Sequence, residues 1–290
     1  MSKLIFGCGY LGERVAKLWR ATNEEVHVVT RSVERAREFA AQGLLPVVAN
    51  ILDKRSLSEL PQVDTVLFAV GYDRSADAPI EEVYPTGLAN VLDALPAATG
   101  RVIYISTTGV YGPADGEWVD EETPTAPQRD GGKASLAAEQ ILAAHPLGKN
   151  SVILRLAGIY GPNRVPYIDK LRAGEPLAVP SAGWLNLIHA DDAATIVLAS
   201  EKWAAANPNS GAPEIFCVSD GQPVIRGEYY REVARLIGAA DPQFVAPEAG
   251  TPAAERARSD KRISNRKLMT AIGVELRYPS YREGLAAILS

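Results

Sequence analysis

The chain has 290 residues, 47% hydrophobic and 22% charged, enough apolar material for a folded protein with a sizeable core and too much for a disordered one. Its formal net charge of −5 and pI near 5.4 exclude a general affinity for nucleic acid or for anionic membranes. With two cysteines, Cys8 and Cys217, no signal-peptide core and no apolar run of membrane-spanning length, a disulfide framework is excluded and a cytoplasmic setting is expected.

The first element is a short apolar strand that runs into Gly7-Cys-Gly-Tyr-Leu-Gly12, after which Leu11, Val15, Leu18 and Trp19 fall at helical spacing. Such a strand–turn–helix is the context in which GxGxxG binds a dinucleotide. The first glycine permits the tight turn, the second lets the backbone approach a pyrophosphate, and the third lets helix pack on strand. The phosphates then meet free N–H groups at the helix N-terminus. Tyr10 and Leu11 sit inside this turn.

Further on, the pattern predicts strands at Val26–Thr30, Leu44–Val48, Val63–Val70, Val102–Ser106 and Val152–Leu156. Helices are predicted at Val33–Ala41, Ile80–Leu95 and Ser135–Ala144, the second interrupted or delayed by Pro85. Repeated β-α-β units with near-continuous apolar strands mean a parallel sheet covered by helices on both faces. Beyond Gly158 the alternation fades into shorter Gly- and Pro-punctuated pieces. Residues 1–156 therefore read as a dinucleotide-binding domain, and 157–290 as a substrate-facing lobe interleaved with the end of the sheet.

Cofactor choice is read at the end of the second strand. Thr30 lies 18 positions after Gly12, where an NAD-binding unit carries an acidic residue for the ribose hydroxyls. That carboxylate is missing, and Thr30-Arg31-Ser32 offers hydroxyls and a guanidinium suited to a 2′-phosphate. NADP is the expected cofactor, with NAD as the alternative. The plainer reading is that Arg31 only begins a helix with Arg35 and Arg37 on its solvated face.

Four further strings follow: Phe68-Ala-Val-Gly71, Ser106-Thr-Thr-Gly-Val-Tyr-Gly112, Arg155-Leu-Ala-Gly-Ile-Tyr-Gly-Pro162 and Asn186-Leu-Ile-His-Ala-Asp-Asp192. With the glycine turn they resemble, in order and over nearly the whole length, the extended short-chain dehydrogenase/reductases of the NAD-dependent epimerase/dehydratase group. The resemblance implies an α/β fold, a Rossmann-type doubly wound parallel sheet with a small C-terminal substrate lobe. It also implies that Asn50, Ile51 and Ala69, Val70 and Gly71 surround adenine and ribose.

In that family a Ser or Thr, a Tyr and a Lys exchange the proton while hydride moves to or from the nicotinamide. The Ser/Thr position falls on Thr107. If Glu139 is matched to the glutamate that follows the family's YxxxK run, Gly131 stands in place of the tyrosine and Ser135 in place of the lysine. A shift by two restores a lysine, Lys133, but puts Arg129 where tyrosine belongs. Neither frame contains a phenol able to release and recapture a proton. Tyr111, Tyr160 and Tyr72, all after strands, are candidate replacements, and each also reads as a packed tyrosine with a bonded hydroxyl. Lys133 could supply cationic help or be a solvated helix residue.

On the substrate side, Asp191 reads as the N-cap of a helix from Asp192 to Ser200, and His189 as a structural hydrogen-bonder. Arg164, Asn186, Arg226 and the run Arg256-Ala-Arg-Ser-Asp-Lys-Arg262 place polar and basic groups where a nucleotide-sugar diphosphate could be held; such a run also reads as solvated surface. Trp184 and Tyr167 could stack on a ring. No zinc spacing appears, and no metal is expected. Two functions remain open: an NAD(P)-dependent oxidoreductase or epimerase-like enzyme with a noncanonical or degenerate catalytic site, acting on a small molecule, and a non-catalytic NADP(H)-binding sensor. A homodimer is compatible with either.

Overall fold

The computed structural model describes residues 1–73, 78–208, 211–258 and 260–289. In chain order, β1 (Ser2–Phe6), α1 (Gly12–Ala21), β2 (Glu25–Thr30), α2 (Val33–Ala41), β3 (Leu45–Val48) and β4 (Thr65–Phe68) lead to α3 (Ile80–Val83), α4 (Pro85–Ala94) and β5 (Arg101–Thr107). Then come β6 (Trp118–Val119), α5 (Asp130–Ala144), β7 (Val152–Leu156), β8 (Gly158–Tyr160), α6 (Ile168–Ala173), β9 (Trp184–Leu185), β10 (Leu187–His189) and α7 (Ala190–Ala206). The chain ends with β11 (Glu214–Val218), β12 (Val224–Ile225), α8 (Arg226–Leu236), α9 (Pro252–Ala257), β13 (Arg262–Ile263), α10 (Arg266–Ile272) and α11 (Tyr281–Leu289).

The central sheet has seven strands in the order β11-β7-β5-β4-β1-β2-β3. The pairings β1–β2, β1–β4, β2–β3 and β4–β5 are parallel. Order therefore reverses beside β1, and the crevice outside the carboxyl ends at such a switch point is where ligands bind in open α/β sheets. Pro85 does interrupt the predicted helix: α3 ends before it, and α4 begins on it, where its missing N–H costs nothing.

One helix starts well before its expected position. α5 starts at Asp130, not Ser135, and runs through Gly131-Gly132. Glycine propensity argues against this, but Gly132 is buried and Gly131 faces Ile80, so tertiary packing overrides a weak local preference. Gly131 and Ser135 consequently lie one helical turn apart.

The chain divides into two compact units, each made of separate stretches: unit 1 is Met1–Val110, Asp130–Arg155 and Ala194–Phe216, and unit 2 is Tyr111–Arg129, Leu156–Ala193 and Cys217–Ser290. The core of unit 1 gathers Leu4, Phe6, Val66, Phe68, Leu88, Val91, Tyr104 and Leu142. Its edge holds an ionic knot. Lys3 is only 1% exposed and pairs with the Glu201 carboxylate, which also accepts from Thr65 Oγ1 at 2.6 Å and Trp19 Nε1 at 2.8 Å. A buried charge is tolerated when it is paired and bonded in this way. Unit 2 is centred on Tyr160, Leu177, Tyr229, Val233, Tyr281 and Leu285. Among the described residues, no helix is long and apolar enough to cross a membrane.

Candidate functional site

Three glycines shape the turn between β1 and α1. Gly7 has φ +85°, and a Cβ there would collide with the Ala69 carbonyl and lie 2.6 Å from Val70 Cα. At Gly12 a Cβ would meet Ile5 Cγ2 at 3.3 Å and crowd the Gly7 carbonyl, so α1 packs against β1 at backbone distance. Gly9 is different: among the described residues, nothing lies within 4 Å of its Cβ position. Glu13, in the first turn of α1, pairs with Arg35, so its charge is partly neutralised where an anion would approach. Tyr10 is held by Arg14, whose guanidinium lies 4.1 Å from the ring and donates to the Tyr10 carbonyl at 2.7 Å. Leu11 occupies the N-cap position without a side-chain cap. Burial first, and then Glu13, push the Cys8 thiol up to about 12, so it stays protonated.

At the end of β2, Thr30 Oγ1 accepts from Ser32 N at 3.2 Å. Ser32 Oγ caps α2 by accepting from Arg35 N at 3.1 Å and donates to Glu34 at 2.8 Å. Arg35 is paired with both Glu13 and Glu38. Arg31, with a side chain 61% exposed, extends to Asp73 at 3.6 Å. After β3, Asn50 Oδ1 accepts from Leu52 N at 3.1 Å, and the Ile51 carbonyl accepts from Asn90 Nδ2 at 2.9 Å while its side chain packs over Gly87. Beside β1, Ala69 N donates to the Phe6 carbonyl at 2.8 Å. Val70 is half-buried, and at Gly71, as at Gly9, none of the described residues lies within 4 Å of where a Cβ would be.

Thr107 closes β5, its Oγ1 accepting from Gly109 N at 3.0 Å. On α5, a Cβ at Gly131 would, among the described residues, touch only Ile80, at 3.5 Å. Ser135 is 3% exposed and hydrogen-bonds the Tyr104 hydroxyl, whose pKa burial drives upward. One turn on, Glu139 accepts from Ser106 Oγ at 2.5 Å and from Arg155 Nε at 3.0 Å and Nη2 at 2.6 Å. Lys133 lies off this face, 57% exposed and 3.5 Å from Asp130.

In unit 2, Tyr111 is buried with its hydroxyl 3.2 Å from Cys217 Sγ. Lys261 donates to the carbonyls of Tyr111 and Gly112 at 3.1 and 3.2 Å; burial, then Arg129, hold its pKa down to about 8. Tyr160 is a core residue whose hydroxyl donates to the Ser280 carbonyl at 3.3 Å. Asn186 is a structural tie, with Nδ2 donating to the Lys261 carbonyl at 2.8 Å and Oδ1 accepting from Ile263 N at 2.7 Å. Arg226 is buried and donates to the Ala182 carbonyl at 2.8 Å. Arg262 donates to the Gly116 carbonyl at 2.6 Å and lies 5.2 Å from the rings of both Trp118 and Trp184. Arg164 is exposed, with Nε 3.2 Å from the Ile159 carbonyl, and Tyr167 stacks edge-on with Tyr230. Ser259 and the Arg256 side chain lie outside the described residues.

Asp191 is not the N-cap expected from sequence, because α7 already begins at Ala190; its backbone N–H donates to His189 Nδ1 at 3.2 Å. The tying carboxylate is Asp192, which accepts from the backbone of Arg277 and Tyr278 at 2.8 and 3.0 Å. Unannounced by the sequence is Asp220, buried, with Oδ2 lacking a hydrogen-bond partner among the described residues. Burial raises its pKa from 3.8 to about 7. A carboxyl raised in this way stabilises the fold fully below its unfolded value, and that contribution is lost as pH rises through about 7. Asp220→Asn should therefore flatten the fall in melting temperature between pH 5 and 8; an unchanged slope would rule out this titration.

A sequence model of the NAD dependent epimerase/dehydratase family matches residues 4–218. The chain belongs to that family. It is 30% identical over 288 residues to Protein YeeZ of Escherichia coli K12, with 95% of each chain covered. It is 27% identical over 273 residues to short-chain dehydrogenase/reductase family 42E member 1 of Danio rerio, covering 83% of this chain and 69% of that one, which places it in the extended short-chain dehydrogenase/reductase superfamily. Among solved structures, a functionally unknown conserved protein from Silicibacter pomeroyi DSS superposes with a TM-score of 0.78 at 29% identity, over 99% and 97% of the two chains.

Within this epimerase/dehydratase chain, sequence reasoning passed over Tyr104, Asp220 and Asp73. Tyr104 had a signal: Val102, Tyr104 and Ser106 alternate onto one face of β5. The other two had none, since their surroundings depend on segments far apart in the chain. Lys261 was read only as one member of a basic run, whereas its ammonium is turned onto the Tyr111 and Gly112 carbonyls. Among the described residues, no group of three or more His, Cys, Asp and Glu is placed to hold a metal ion.

Proposed function

We propose that this epimerase/dehydratase family member is an NADP-preferring oxidoreductase or nucleotide-sugar epimerase/dehydratase-like enzyme whose proton exchange does not use the family's tyrosine–lysine pair. The observation that carries the cofactor part is the bare surface at Gly9 and Gly71, beside a turn that admits no side chain at Gly7. A Cβ at either open position would occupy space that a dinucleotide needs. The backbone of residues 7–12 and the N-terminus of α1 would hold the pyrophosphate, with Tyr10 and Leu11 forming the wall of the turn. Asn50, Ile51 and residues 69–71 would line adenine and ribose.

Arg31 would meet a 2′-phosphate, and Thr30 and Ser32 would shape the backbone that presents it. When bound, the nicotinamide supplies a hydride donor or acceptor. In unit 1, Thr107 would hydrogen-bond the oxygen of a carbonyl or carbinol. In unit 2, Arg164 and Arg262 would take an anionic group, with Asn186 and Arg226 fixing the segments around them. Two buried free cysteines fit a reducing, cytoplasmic compartment.

A second reading, a non-catalytic NADP(H)-responsive protein, is favoured by one observation: Ser135 is buried against Tyr104, Lys133 points away, and the hydroxyls of Tyr111 and Tyr160 are engaged. Tyr111 and Lys133 stay candidate participants only if these groups rearrange. Following NADPH oxidation over sugar nucleotides and simple carbonyls separates the two. Turnover supports the enzyme; tight binding with silence across the panel supports the sensor. Cofactor choice is tested by Arg31→Ala, which should weaken NADPH binding about 10- to 100-fold through loss of a charge-assisted contact and leave NADH almost unchanged. Equal losses for both would contradict the 2′-phosphate assignment.

A further inference from the structure

Gly131, where the family carries its tyrosine on α5, faces a helical segment that carries a phenol of its own. A Cβ at Gly131 would come 3.5 Å from Ile80 Cδ1, and α3 packs against α5. Ile80 opens α3, and Tyr84 follows four residues later in helical backbone at φ −80° and ψ −60°, so the two share one face of that segment. Tyr84 Oη accepts from Tyr72 N at 3.1 Å, which places the hydroxyl one residue beyond Gly71, past the carboxyl end of β4. Gly71 and Thr107 each lie three residues beyond the β4–β5 pair Phe68–Tyr104, on strands about 5 Å apart. This is the side of β1 away from β2 and Arg31, where the nicotinamide half of a dinucleotide belongs once Arg31 takes the 2′-phosphate.

The Tyr84 hydroxyl is half committed. Its oxygen is held by the Tyr72 amide, but among the described residues no acceptor takes its proton, and the residue is only partly buried. Tyr104, on β5, is 2% exposed and bonded to Ser135, so it is sealed off. Burial raises the Tyr84 pKa and the Tyr72 amide opposes that rise; the phenol therefore starts protonated.

We propose that Tyr84 is the catalytic phenol of this chain, carried between α3 and α4 instead of on α5. The proposal rests on the enzyme reading above. In the reductive direction Tyr84 gives its proton to the oxygen of a carbonyl held by Thr107, while the carbonyl carbon takes a hydride from the reduced dinucleotide. One C–H and one O–H bond form and the Tyr84 O–H bond breaks. The carbonyl becomes a carbinol, the dinucleotide is oxidised, and the phenolate regains a proton from water. Tyr72 N–H, already aimed at Oη, stabilises the charge that develops there. That amide supplies part of the stabilisation for which Ser135 offers no cation.

Tyr84→Phe keeps the ring and removes the hydroxyl. For carbonyl compounds that the wild type reduces with NADPH, kcat should fall about 100-fold or more, while NADPH affinity by calorimetry changes by less than about twofold. A second readout does not depend on turnover. Difluorotyrosine placed at position 84 ionises closer to neutral pH, and its fluorine resonance reports the event. It should ionise about one pH unit lower with NADP⁺ bound than with NADPH, because only the oxidised ring is cationic. A phenol that merely braces Tyr72 would ionise alike with both. Full turnover in Tyr84→Phe, or equal ionisation with the two nucleotides, would overturn the proposal and leave dinucleotide binding standing. A wild-type chain that binds neither nucleotide, or binds them and reduces no carbonyl, would take the enzyme reading and this proposal down together.

Discussion

Gly7→Ala is expected to lower dinucleotide affinity by about two orders of magnitude, the equivalent of one or two charge-assisted hydrogen bonds, and to destabilise the protein as well. At φ +85° an L side chain is strained, at a cost of about 1–3 kcal/mol. The new methyl would also meet the Ala69 carbonyl, so β1 and the segment after β4 must separate. Amides that should converge on a pyrophosphate would then diverge. Gly9→Ala supplies the contrast. Its methyl points into open space, so binding should fall while the melting temperature holds. Calorimetry together with thermal melts of the two variants checks both halves. A Gly9→Ala protein that binds normally would show that the open surface is not where the phosphates lie.

The second large effect is expected at Glu139. Glu139→Ala should cost about 3–5 kcal/mol, because it removes the carboxylate that is paired with a buried guanidinium. Arg155 is 4% exposed and its Nε and Nη2 both donate to this carboxylate, as does Ser106 Oγ. Glu139→Gln keeps an acceptor for Ser106 and should be milder. The check is the midpoint of urea unfolding. Thr107 follows Ser106 directly, so the milder variant should also alter NADPH-linked turnover if Thr107 touches substrate. A Glu139→Ala protein as stable as wild type would mean that the buried charges relax to solvent.

Much of unit 1 was legible because its signals are local. Gly7, Gly9 and Gly12 announce their turn by spacing, and Pro85 announces the start of α4. Non-local chemistry was not legible. Lys3 looks like a surface residue until Glu201, 198 positions away, is seen to accept from it. Glu139 could be singled out by its place after Ser135, yet its partners came from β5 and β7 and only the fold joins them. Gly131-Gly132 misled in the opposite direction, since their low propensity hid the first turn of α5. Arg226 and Asn186 were read as ligand groups because their type and position fitted. In the structure both hydrogen-bond backbone of unit 2, a use of polar side chains that composition cannot distinguish from binding.

The most direct measurement is calorimetric titration of the wild-type chain with NADPH, with NADH in parallel. Saturable one-to-one binding, tighter for NADPH, is the expected result. No heat with either nucleotide would contradict the dinucleotide cradle at residues 7–12 on which the account depends.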